Sequence, residues 1–396
     1  MRSPRALVRD LRLDAVQVAL RVVLRALSAV VPVTSRVVVS AFPQTEGNGV
    51  EIARALLRRY AGQVVWLQDG PEVEGDVQDL VDLGMVVVPK MSLQGLWHYL
   101  RAEAVFFTHG LYGSPRPRSR KPLINLWHGD GPKDVRPDGT LSALIPSTYL
   151  VGSTALFSAH QAQAFEVPPN RLLLTGNPRT DQLWHDVDAR ALRALGITGP
   201  FVVWMPTFRR TRAVGAVRSW SETGDETSTI DELGPLREGL ARRGLQLVVK
   251  AHPMDADRRS TPGAVSVAES ELVAAGVSLY ELLGQSAGLV TDYSSVWVDY
   301  LLLDRPIAFW IPDRASYGRG LVPPDVLDWL PGESADLSVD PFRDFLTDLD
   351  AGGDVGRDLR RTVADRIGLH ESRRSADDLL DALADRGAVR RWRESA

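Results

Sequence analysis

The alternation of short apolar runs with helical segments constrains the fold of this sequence more than any other feature. Short apolar runs bounded by glycine, proline and polar turns are typical of buried strands, and their alternation with helices is typical of α/β proteins. The first series predicts strands at residues 36–41, 64–68, 85–88, 104–108, 123–126, 149–151 and 172–175. Helical spacing at residues 50–60 and 93–101 separates some of these strands.

A second series of strands follows a charged and Gly/Pro-rich segment at residues 184–200, which we interpret as a linker. It predicts strands at residues 201–205, 246–250, 288–291 and 307–310. Nearly continuous apolar strands indicate parallel sheets covered on both faces, and each series resembles half of a doubly wound fold. The 396 residues suffice for two domains of roughly 100 to 200 residues each. We place these domains at residues 32–190 and 191–396.

The first 31 residues are basic within an otherwise acidic chain, whose formal charge is -4. Their first thirty residues set six arginines against two aspartates: Arg2, Arg5, Arg9, Arg12, Arg21, Arg25, Asp10 and Asp14. On a helix, the apolar side would comprise Leu7, Leu11, Val18 and Val22. This amphipathic pattern is typical of a helix lying in an anionic membrane surface, and equally of a helix packed on the protein's own surface. No run of about 18 apolar residues predicts a membrane-spanning helix.

The composition excludes several classes of function. The chain has no cysteine, so thiolate nucleophiles, disulfides and cysteine zinc sites are ruled out. Its 46 Lys and Arg residues are outnumbered by 50 Asp and Glu residues, so no global basic field indicates nucleic-acid binding. We expect no nucleic-acid partner, no metal and no required cofactor.

Two histidines stand directly after predicted strands. His128 follows the strand at residues 123–126 in a glycine-rich turn, where an imidazole can take a proton from an attacking hydroxyl. His252 follows the strand that ends at Lys250, where it can donate to a phosphate. A strand-end histidine can also simply bond a neighbouring carbonyl, so neither position identifies a function alone.

Two further strand ends carry groups that suit an anion. Arg209 follows the strand at residues 201–205, and a guanidinium there can clamp phosphate oxygens with its forked donors. Ser294 and Ser295 begin a predicted apolar helix, where free N–H groups attract negative charge. The structural alternatives are a helix cap at Ser294 and an ordinary turn residue at Asp292. Because the carboxyl ends of parallel strands meet at one crevice, the group indicates an anion-binding site more strongly than any member.

The N-terminal half offers weaker candidates. Asn48 lies in a Gly-Asn-Gly segment before a helix, which is only half of a dinucleotide fingerprint. We interpret Asn48 as a contact for an acceptor rather than for a cofactor. His109 follows the strand at residues 104–108 and is a second candidate on this side.

With these residues in place, the chain resembles the CDP-glycerol glycerophosphotransferases, which build teichoic acids and related capsule polymers. The resemblance spans residues 36–384 and is carried by an ordered set of segments: Trp127-His128-Gly129 with Lys133, Gly176-Asn177-Pro178-Arg179-Thr180-Asp181, Pro206-Thr207-Phe208-Arg209, Lys250-Ala251-His252-Pro253, and Thr291-Asp292-Tyr293-Ser294-Ser295 with Asp299-Tyr300. The ordered set is specific, whereas no single member is.

The resemblance implies a GT-B fold, in which two Rossmann-like domains face each other across a cleft. It implies transfer of glycerol phosphate, or a related polyol phosphate, from CDP-glycerol or CDP-ribitol to a hydroxyl of a lipid-linked or polymeric glycan, with release of CMP. A lipid-linked acceptor implies a cytoplasmic protein that is peripheral on the inner face of the cell membrane, bound through the N-terminal helix.

The resemblance also implies roles for individual residues. His128 is the expected general base, and His252 is the second expected catalytic residue. The donor phosphates are expected to meet six residues: Thr207, Arg209, Lys250, Asp292, Ser294 and Ser295. The acceptor side is expected to include four residues: Asn48, His109, Asp130 and Lys133. Asp130-Gly131 departs from the Thr-Pro that is more usual in the family, so the acceptor side is expected to differ from that of simple wall polymerases.

Two alternatives remain at this point. A GT-B glycosyltransferase or a nucleotide-sugar epimerase would share the fold and the phosphate contacts but would consume a sugar nucleotide. A catalytically inactive nucleotide-binding protein would share them without turnover, although the presence of both His128 and His252 argues against it.

Overall fold

The computed structural model describes residues 19–20, 22–70, 75–112, 121–135, 145–206, 210–213, 216–219, 233–250, 263–312, 314, 317, 320–335, 340–350 and 355–392. The segments 210–213 and 216–219 are described as backbone only. The predicted site residues Thr207, Arg209 and His252 lie outside these residues.

The first half of the chain forms a seven-stranded sheet in which every pairing is parallel. Its strands are β1 (Arg36–Ser40), β2 (Gln63–Gln68), β3 (Val86–Pro89), β4 (Ala104–Phe107), β5 (Leu123–Asn125), β6 (Tyr149–Gly152) and β7 (Leu172–Leu174). Their order in the sheet is β3-β2-β1-β4-β5-β6-β7, so the chain turns back on itself beside β1 as in a doubly wound fold.

The second half forms a six-stranded sheet that is also parallel throughout, in the order β12-β11-β8-β13-β14-β15. Its strands are β8 (Phe201–Met205), β11 (Gln246–Lys250), β12 (Val265–Val267), β13 (Gly288–Thr291), β14 (Ile307–Phe309) and β15 (Glu333–Ser334). Between β8 and β11, β9 (Arg210–Ala213) and β10 (Ala216–Ser219) form an antiparallel pair. The sequence patterns missed β12, β15 and this pair, because each of these strands is only two to four residues long.

Helices cover both faces of each sheet. They are α1 (residues 22–30), α2 (Gly47–Arg59), α3 (Asp76–Asp82), α4 (Leu93–Arg101), α5 (Ala155–Ala164), α6 (Ala189–Ala194), α7 (Gly234–Arg242), α8 (Glu269–Ala275), α9 (Leu279–Gln285), α10 (Val296–Tyr300), α11 (Arg343–Asp348), α12 (Arg357–Ile367) and α13 (Ser375–Asp385). Short 3-10 turns occur at Pro169–Arg171, Pro178–Trp184, Leu301–Leu303 and Val326–Asp328.

Neighbouring residues of a central strand face two different apolar clusters, as the pleat of a strand requires. In β1, Val37 and Val39 belong to one cluster while the fully buried Val38 belongs to another. In β8, Val203 and Val202 divide between two clusters in the same way. The prediction of parallel α/β sheets buried on both faces is therefore confirmed.

The last helix returns to the first sheet. Leu379, Leu380 and Leu383 of α13 are fully buried in the cluster that covers one face of that sheet. The carboxylate of Asp181 accepts from the N–H groups of Ser375 and Ala376 at 2.6 and 3.0 Å, which fixes the start of this helix. The division at residue 190 groups α13 with the second half, whereas its apolar face belongs to the first-sheet core.

The described part of the N-terminal helix packs on the first sheet. Leu24 is fully buried, and Leu20 and Leu27 pack against the same cluster. Val22, which the amphipathic pattern placed on the apolar side, is instead 63% exposed. Residues 1–18 lie outside the described part of the chain. Among the described residues, no helix combines the length and apolar character needed to span a membrane.

Candidate active site

The loop of residues 126–134, called here the histidine loop, leaves the carboxyl end of β5. The Asn125 side chain accepts from the N–H of Trp127 at 2.9 Å and turns the chain sharply. Trp127 and Gly129 have φ angles of 50° and 110°, so the backbone is left-handed on both sides of His128. Such angles favour glycine and are unusual for a bulky residue such as tryptophan. The result is that the His128 side chain is exposed at the sheet edge.

The imidazole of His128 stacks on the ring of His109 and lies at a tilt beside the ring of Trp127. Its centroid lies 3.9 Å from that of Trp127 and 4.9 Å from that of His109, whose ring is nearly parallel at 13°. The Thr108 hydroxyl accepts from the N–H of Phe42 at 3.0 Å and lies 3.2 Å from Nδ1 of His109. Burial, together with the charge of Lys90, lowers the pKa of His109. The neutral form of the His109 ring beside His128 is therefore favoured.

Two predicted acceptor-side residues are turned into the protein. Asn48 is fully buried, donates to the carbonyl of Trp127 at 3.2 Å and accepts from the N–H of Arg179 at 3.0 Å. Asp130 is 1% exposed, and its Oδ2 accepts from the N–H groups of Ser153 and Thr154 at 2.9 and 2.8 Å. Burial raises the pKa of Asp130. Both side chains therefore hold the histidine loop rather than extend from it.

The end of the histidine loop is joined to a segment of the second half. The backbone of Lys133 forms an antiparallel bridge with Leu321. On either side of this bridge, the backbone N–H of Asp134 donates to the carbonyl of Gly320 at 2.9 Å, and the backbone N–H of Val322 donates to the carbonyl of Pro132 at 2.7 Å. These bonds fix the loop relative to the second sheet.

On the second sheet, Lys250 ends β11 with its side chain 3% exposed. Its Nζ lies 3.1 Å from Oε2 of Glu269, whose other carboxylate oxygen accepts from the Thr45 hydroxyl at 3.2 Å. Thr45 precedes α2 beside the first sheet, so its hydrogen bond to Glu269 also joins the two halves. Lys250 thus lies at the predicted strand end, and Glu269 partly neutralises its charge.

The segment of residues 292–295, called here the serine loop, follows β13. The Asp292 carboxylate accepts from the N–H of Ser294 at 3.2 Å, and the Ser294 hydroxyl accepts from the N–H of Val296 at 3.5 Å. The structural alternatives of a turn aspartate and a capping serine therefore both apply. The predicted apolar helix is present as α10, but it has only five residues, so its dipole at the serine loop is small.

The histidine loop and the serine loop touch at Gly131 and Ser295. A Cβ atom at Gly131 would lie 2.4 Å from Cβ and 3.1 Å from Cα of Ser295, closer than side-chain atoms ever approach. Only glycine allows the two loops to meet at this distance. The structure therefore brings the loop that carries His128, after β5 of the first sheet, into contact with the serine loop, after β13 of the second.

A buried ion pair lies beneath this contact. The guanidinium of Arg179 donates to Asp299 and to the carbonyl of His128. Tyr280 and Glu46 complete the cluster, and burial raises the pKa of Glu46 to about 7. We did not place these residues in the site from the sequence, although Arg179 and Asp299 fall in two of the segments that carried the family resemblance. Within the described ranges, no three His, Asp or Glu side chains gather in an arrangement suited to a metal ion.

Comparison with known proteins gives a family and a set of relatives. A model of the family described as CDP-glycerol:poly(glycerophosphate) glycerophosphotransferase matches residues 24–385. The chain is 28% identical over 228 residues to the teichoic acid ribitol-phosphate primase of Bacillus spizizenii, across 52% of this chain and 55% of the relative. It spans little more than half the length of the curated relatives that it matches.

Two solved structures share the fold. The wall teichoic acid polymerase TagF matches with a TM-score of 0.66 and 19% identity, over 96% of this chain and 98% of that chain. A putative UDP-N-acetylglucosamine 2-epimerase from Listeria monocytogenes matches with a TM-score of 0.55 and 12% identity, over 88% of this chain and 96% of that chain. At these identities the likeness shows the common two-sheet α/β fold alone. The family match covers nearly the whole chain and confirms the resemblance drawn from the motifs, so this chain belongs to the CDP-glycerol:poly(glycerophosphate) glycerophosphotransferase family.

Proposed function

We propose that this protein transfers a polyol phosphate from CDP-glycerol or CDP-ribitol to a hydroxyl of a lipid-linked or polymeric glycan, in the synthesis of a teichoic acid or capsule-type polymer. The contact between Gly131 and Ser295 carries the proposal, because it joins the loop that carries an exposed histidine to the predicted phosphate-binding loop. Family membership supplies the donor class. In this proposal the two sheets are the two halves of a GT-B enzyme, with the acceptor on the first and the donor on the second.

The reaction is a single displacement at phosphorus. His128 takes the proton of the acceptor hydroxyl, whose oxygen attacks the phosphorus nearest the polyol. The new oxygen–phosphorus bond forms as the bond from that phosphorus to the bridging oxygen breaks, and CMP leaves with the bridging oxygen. The product is a phosphodiester. Negative charge spreads over the phosphoryl oxygens in the transition state, so positioned donors supply most of the rate enhancement.

The donor diphosphate is held at the strand ends of the second sheet. Lys250 Nζ and the hydroxyls of Ser294 and Ser295 provide donors from the described residues, and Asp292 holds the turn by accepting from the N–H of Ser294. Thr207, Arg209 and His252 are assigned to the same phosphates from their motifs, and they follow β8 and β11. Parallel sheets bind ligands at this edge.

On the acceptor side, His109 supports His128 by stacking on it as a neutral ring. Asn48 and Asp130 do not contact the acceptor directly in this proposal. Asn48 bonds the backbone of the histidine loop, and Asp130 ties that loop to the backbone of Ser153. Lys133 keeps the far end of the loop at the boundary between the sheets, where an acceptor phosphate or hydroxyl would approach. The acceptor site is thus assembled around His128.

The donor is identified by mass spectrometry of products formed with a synthetic lipid-linked disaccharide. CDP-glycerol, CDP-ribitol, UDP-sugars and GDP-sugars are each supplied separately. We expect CMP release together with a mass gain of one glycerol phosphate or one ribitol phosphate. The family description names glycerol and the Bacillus spizizenii relative names ribitol, so both CDP-polyols belong in the panel. Consumption of a sugar nucleotide alone would replace the proposal with a glycosyltransferase or an epimerase.

A control without acceptor separates transfer from hydrolysis. Transfer requires CMP release to depend on the acceptor, whereas hydrolysis would release CMP and free polyol phosphate without it. If no nucleotide of the panel is consumed but CDP-glycerol still binds by calorimetry, the protein is the catalytically inactive nucleotide-binding protein considered above.

We also propose that the protein binds the inner face of the cytoplasmic membrane through its N-terminal segment. Residues 2–12 carry four arginines and one aspartate, and each basic residue near an anionic surface contributes about 1 kcal/mol. The helix α1, which follows this segment along the chain, shares one apolar cluster with α4, and the start of α4 exposes Leu93 by 88% and Trp97 by 49%. A surface with both basic and apolar groups suits a lipid interface.

A further inference from the structure

We propose that Arg179 is a positioning residue for the reaction, which holds the histidine loop at a fixed place relative to the serine loop. The inference rests on the proposed role of His128 as the general base. Arg179 lies at the start of the 3-10 turn Pro178–Trp184, in the connection between the two sheets. Its own N–H donates to Oδ1 of Asn48 at 3.0 Å, so its backbone is anchored to the first sheet.

The planar guanidinium of Arg179 joins the histidine loop to α10, the helix that follows the serine loop. Its Nη1 donates to the carbonyl oxygen of His128 at 2.8 Å. Its Nε and Nη2 donate to Oδ2 of Asp299 at 3.0 and 2.6 Å. Asp299 lies in α10, four residues after Ser295, so one side chain connects the residue proposed as base to the helix that follows the serine loop.

Asp299 is itself held in place from several directions. It is 1% exposed and accepts from the Tyr280 hydroxyl at 2.5 Å and from Nδ2 of Asn177 at 3.0 Å. The Arg179 guanidinium lies 4.9 Å from the centre of the Tyr280 ring. The anchor on the second sheet is thus as well supported as the anchor on the first.

The histidine loop leaves room for this guanidinium. A Cβ atom at Gly129 would lie 1.9 Å from Nη2 of Arg179, so the glycine after His128 is required by the clamp as well as by its φ angle of 110°. Glu46 lies on the other side, with Oε1 3.7 Å from Nη1. Gly129 and Glu46 therefore both line the position that the guanidinium occupies beside His128.

A role in stability alone does not account for this arrangement. Buried ion pairs contribute little net stability compared with apolar residues of similar volume, because both charges must be desolvated. An apolar side chain could not bond the main-chain carbonyl of the proposed base. The Arg179 guanidinium does so, and it thereby fixes the position of His128 relative to α10. Displacing a catalytic group by about 1 Å can cost about 100-fold in rate.

The test compares two variants that keep the interior free of an unpaired charge. Arg179→Lys retains the charge but lacks the planar fork, so it cannot hold His128 and Asp299 together. The double variant Arg179→Met/Asp299→Asn removes both charges at once. We expect kcat to fall about 10- to 100-fold in both, with calorimetric affinity for the donor at the wild-type value. Hydrogen exchange of the amides at residues 127–129 should become faster in both.

Arg360→Lys is the matched control. Arg360 is a 4% exposed arginine paired with Asp304 and Asp348 at 3.1 and 2.8 Å, and neither aspartate belongs to the histidine loop or the serine loop. It should lower the Tm while leaving kcat and the exchange at residues 127–129 unchanged.

The outcomes separate this inference from the proposed function. A folded double variant with wild-type kcat and wild-type exchange would overturn the clamp, as would a loss that appears in donor affinity alone. A wild-type protein that transfers nothing from any CDP-polyol would overturn the proposed function. The exchange measurement would then still decide whether Arg179 holds the histidine loop.

Discussion

The histidine loop and the serine loop meet at one point but are shaped by different kinds of contact. The histidine loop is held by side chains that are distant in sequence, since Asn48, Gln161 and Arg179 bond the backbone of Trp127, Gly129 and His128. The serine loop is shaped by local bonds, from Ser294 to Asp292 and from Val296 to Ser294.

This difference indicates where the two loops are sensitive to mutation. The position of His128 depends on residues up to 79 positions away along the chain, so substitutions far from the chemistry can displace it. The turn of the serine loop is formed by bonds among residues 292–296, so substitutions within this segment should change its shape most. The predictions below test this contrast, first through activity and then through stability and membrane binding.

The largest effects are expected from the two proposed catalytic histidines. His128→Ala should lower kcat about 100- to 10,000-fold, because it removes the general base. Donor affinity should be nearly intact, since His128 belongs to the acceptor side. His252→Ala should reduce rate by about 100- to 1,000-fold and weaken donor binding, because a positioned phosphate donor is lost. Steady-state kinetics and calorimetry with CDP-glycerol measure both.

His185→Ala is the matched histidine control for this pair. Its Nδ1 bonds Oε1 of Glu281 at 3.1 Å, away from both loops, and its replacement should leave turnover unchanged. CDP-glycerol binding that is lost in His128→Ala and retained in His252→Ala would reverse the assigned roles. The contrast between an acceptor loop and a donor loop would then be inverted.

The next prediction concerns the contact itself. Gly131→Ala would introduce a Cβ atom 2.4 Å from that of Ser295, and the loops would have to separate. The backbone at Gly131 has no left-handed φ angle, so the effect is steric. We expect kcat to fall about 100-fold if the displacement reaches about 1 Å. Gly199→Ala, where no atom lies within 4 Å of the added Cβ, is the control and should retain activity. Equal rates for both variants would show that the loops act independently.

The two loops also differ in how far they could be predicted. The local turn at Asp292 and Ser294 follows from residue types alone, because both side chains commonly bond a backbone N–H two residues on. The position of His128 at a strand end also followed from the sequence pattern. Its supports did not, because nothing local in Arg179 or Asp299 indicates that the two side chains meet across 120 residues.

The same limit applied to the fold. The central strands were predicted within one or two residues, since continuous apolar runs are a strong local signal. The return of α13 to the first sheet was not predicted, because an amphipathic pattern shows that a helix has an apolar face without showing which core receives it. For the same reason the pattern in residues 1–31 did not show that Leu24 is buried in the first-sheet core.

A smaller effect is expected from Glu46, which lies beside Arg179 and caps the start of α2. Burial raises its pKa to about 7, against an unfolded value of about 4.3. Between these pH values the folded state holds a proton that the unfolded state has released. The stability from this group is therefore full below about pH 4 and lost as pH rises through 7, by no more than about 4 kcal/mol.

Glu46→Gln should remove this pH dependence, because the amide stays neutral and its oxygen can still accept from the N–H of Gly49. Denaturant unfolding of both proteins between pH 4.5 and 7.5 measures the difference. We expect the wild-type curve to fall more steeply than that of the variant. Parallel curves would mean that Glu46 is already ionised in the folded protein and that the charge balance under the histidine loop differs from the one described.

The smallest effect is expected at the membrane, and it should act on the acceptor side alone. Deleting residues 2–18 removes Arg2, Arg5, Arg9 and Arg12 together with Asp10 and Asp14, but keeps Leu24 in the core. The net loss of two positive charges is worth about 2 kcal/mol of binding to anionic vesicles at low salt, and it should shrink as salt is added. Sedimentation with such vesicles measures it.

Turnover of a long-chain lipid acceptor should fall with vesicle binding, while donor affinity should stay unchanged because the serine loop and Lys250 lie on the other sheet. Replacing the four arginines by glutamine is the control that keeps the length and apolar surface of the segment, and because it removes four positive charges it should lower vesicle binding by more than the deletion if charge is the cause. Full sedimentation of the truncated protein, combined with loss of sedimentation in Leu93→Asp, would move the membrane contact from residues 2–18 to the exposed start of α4.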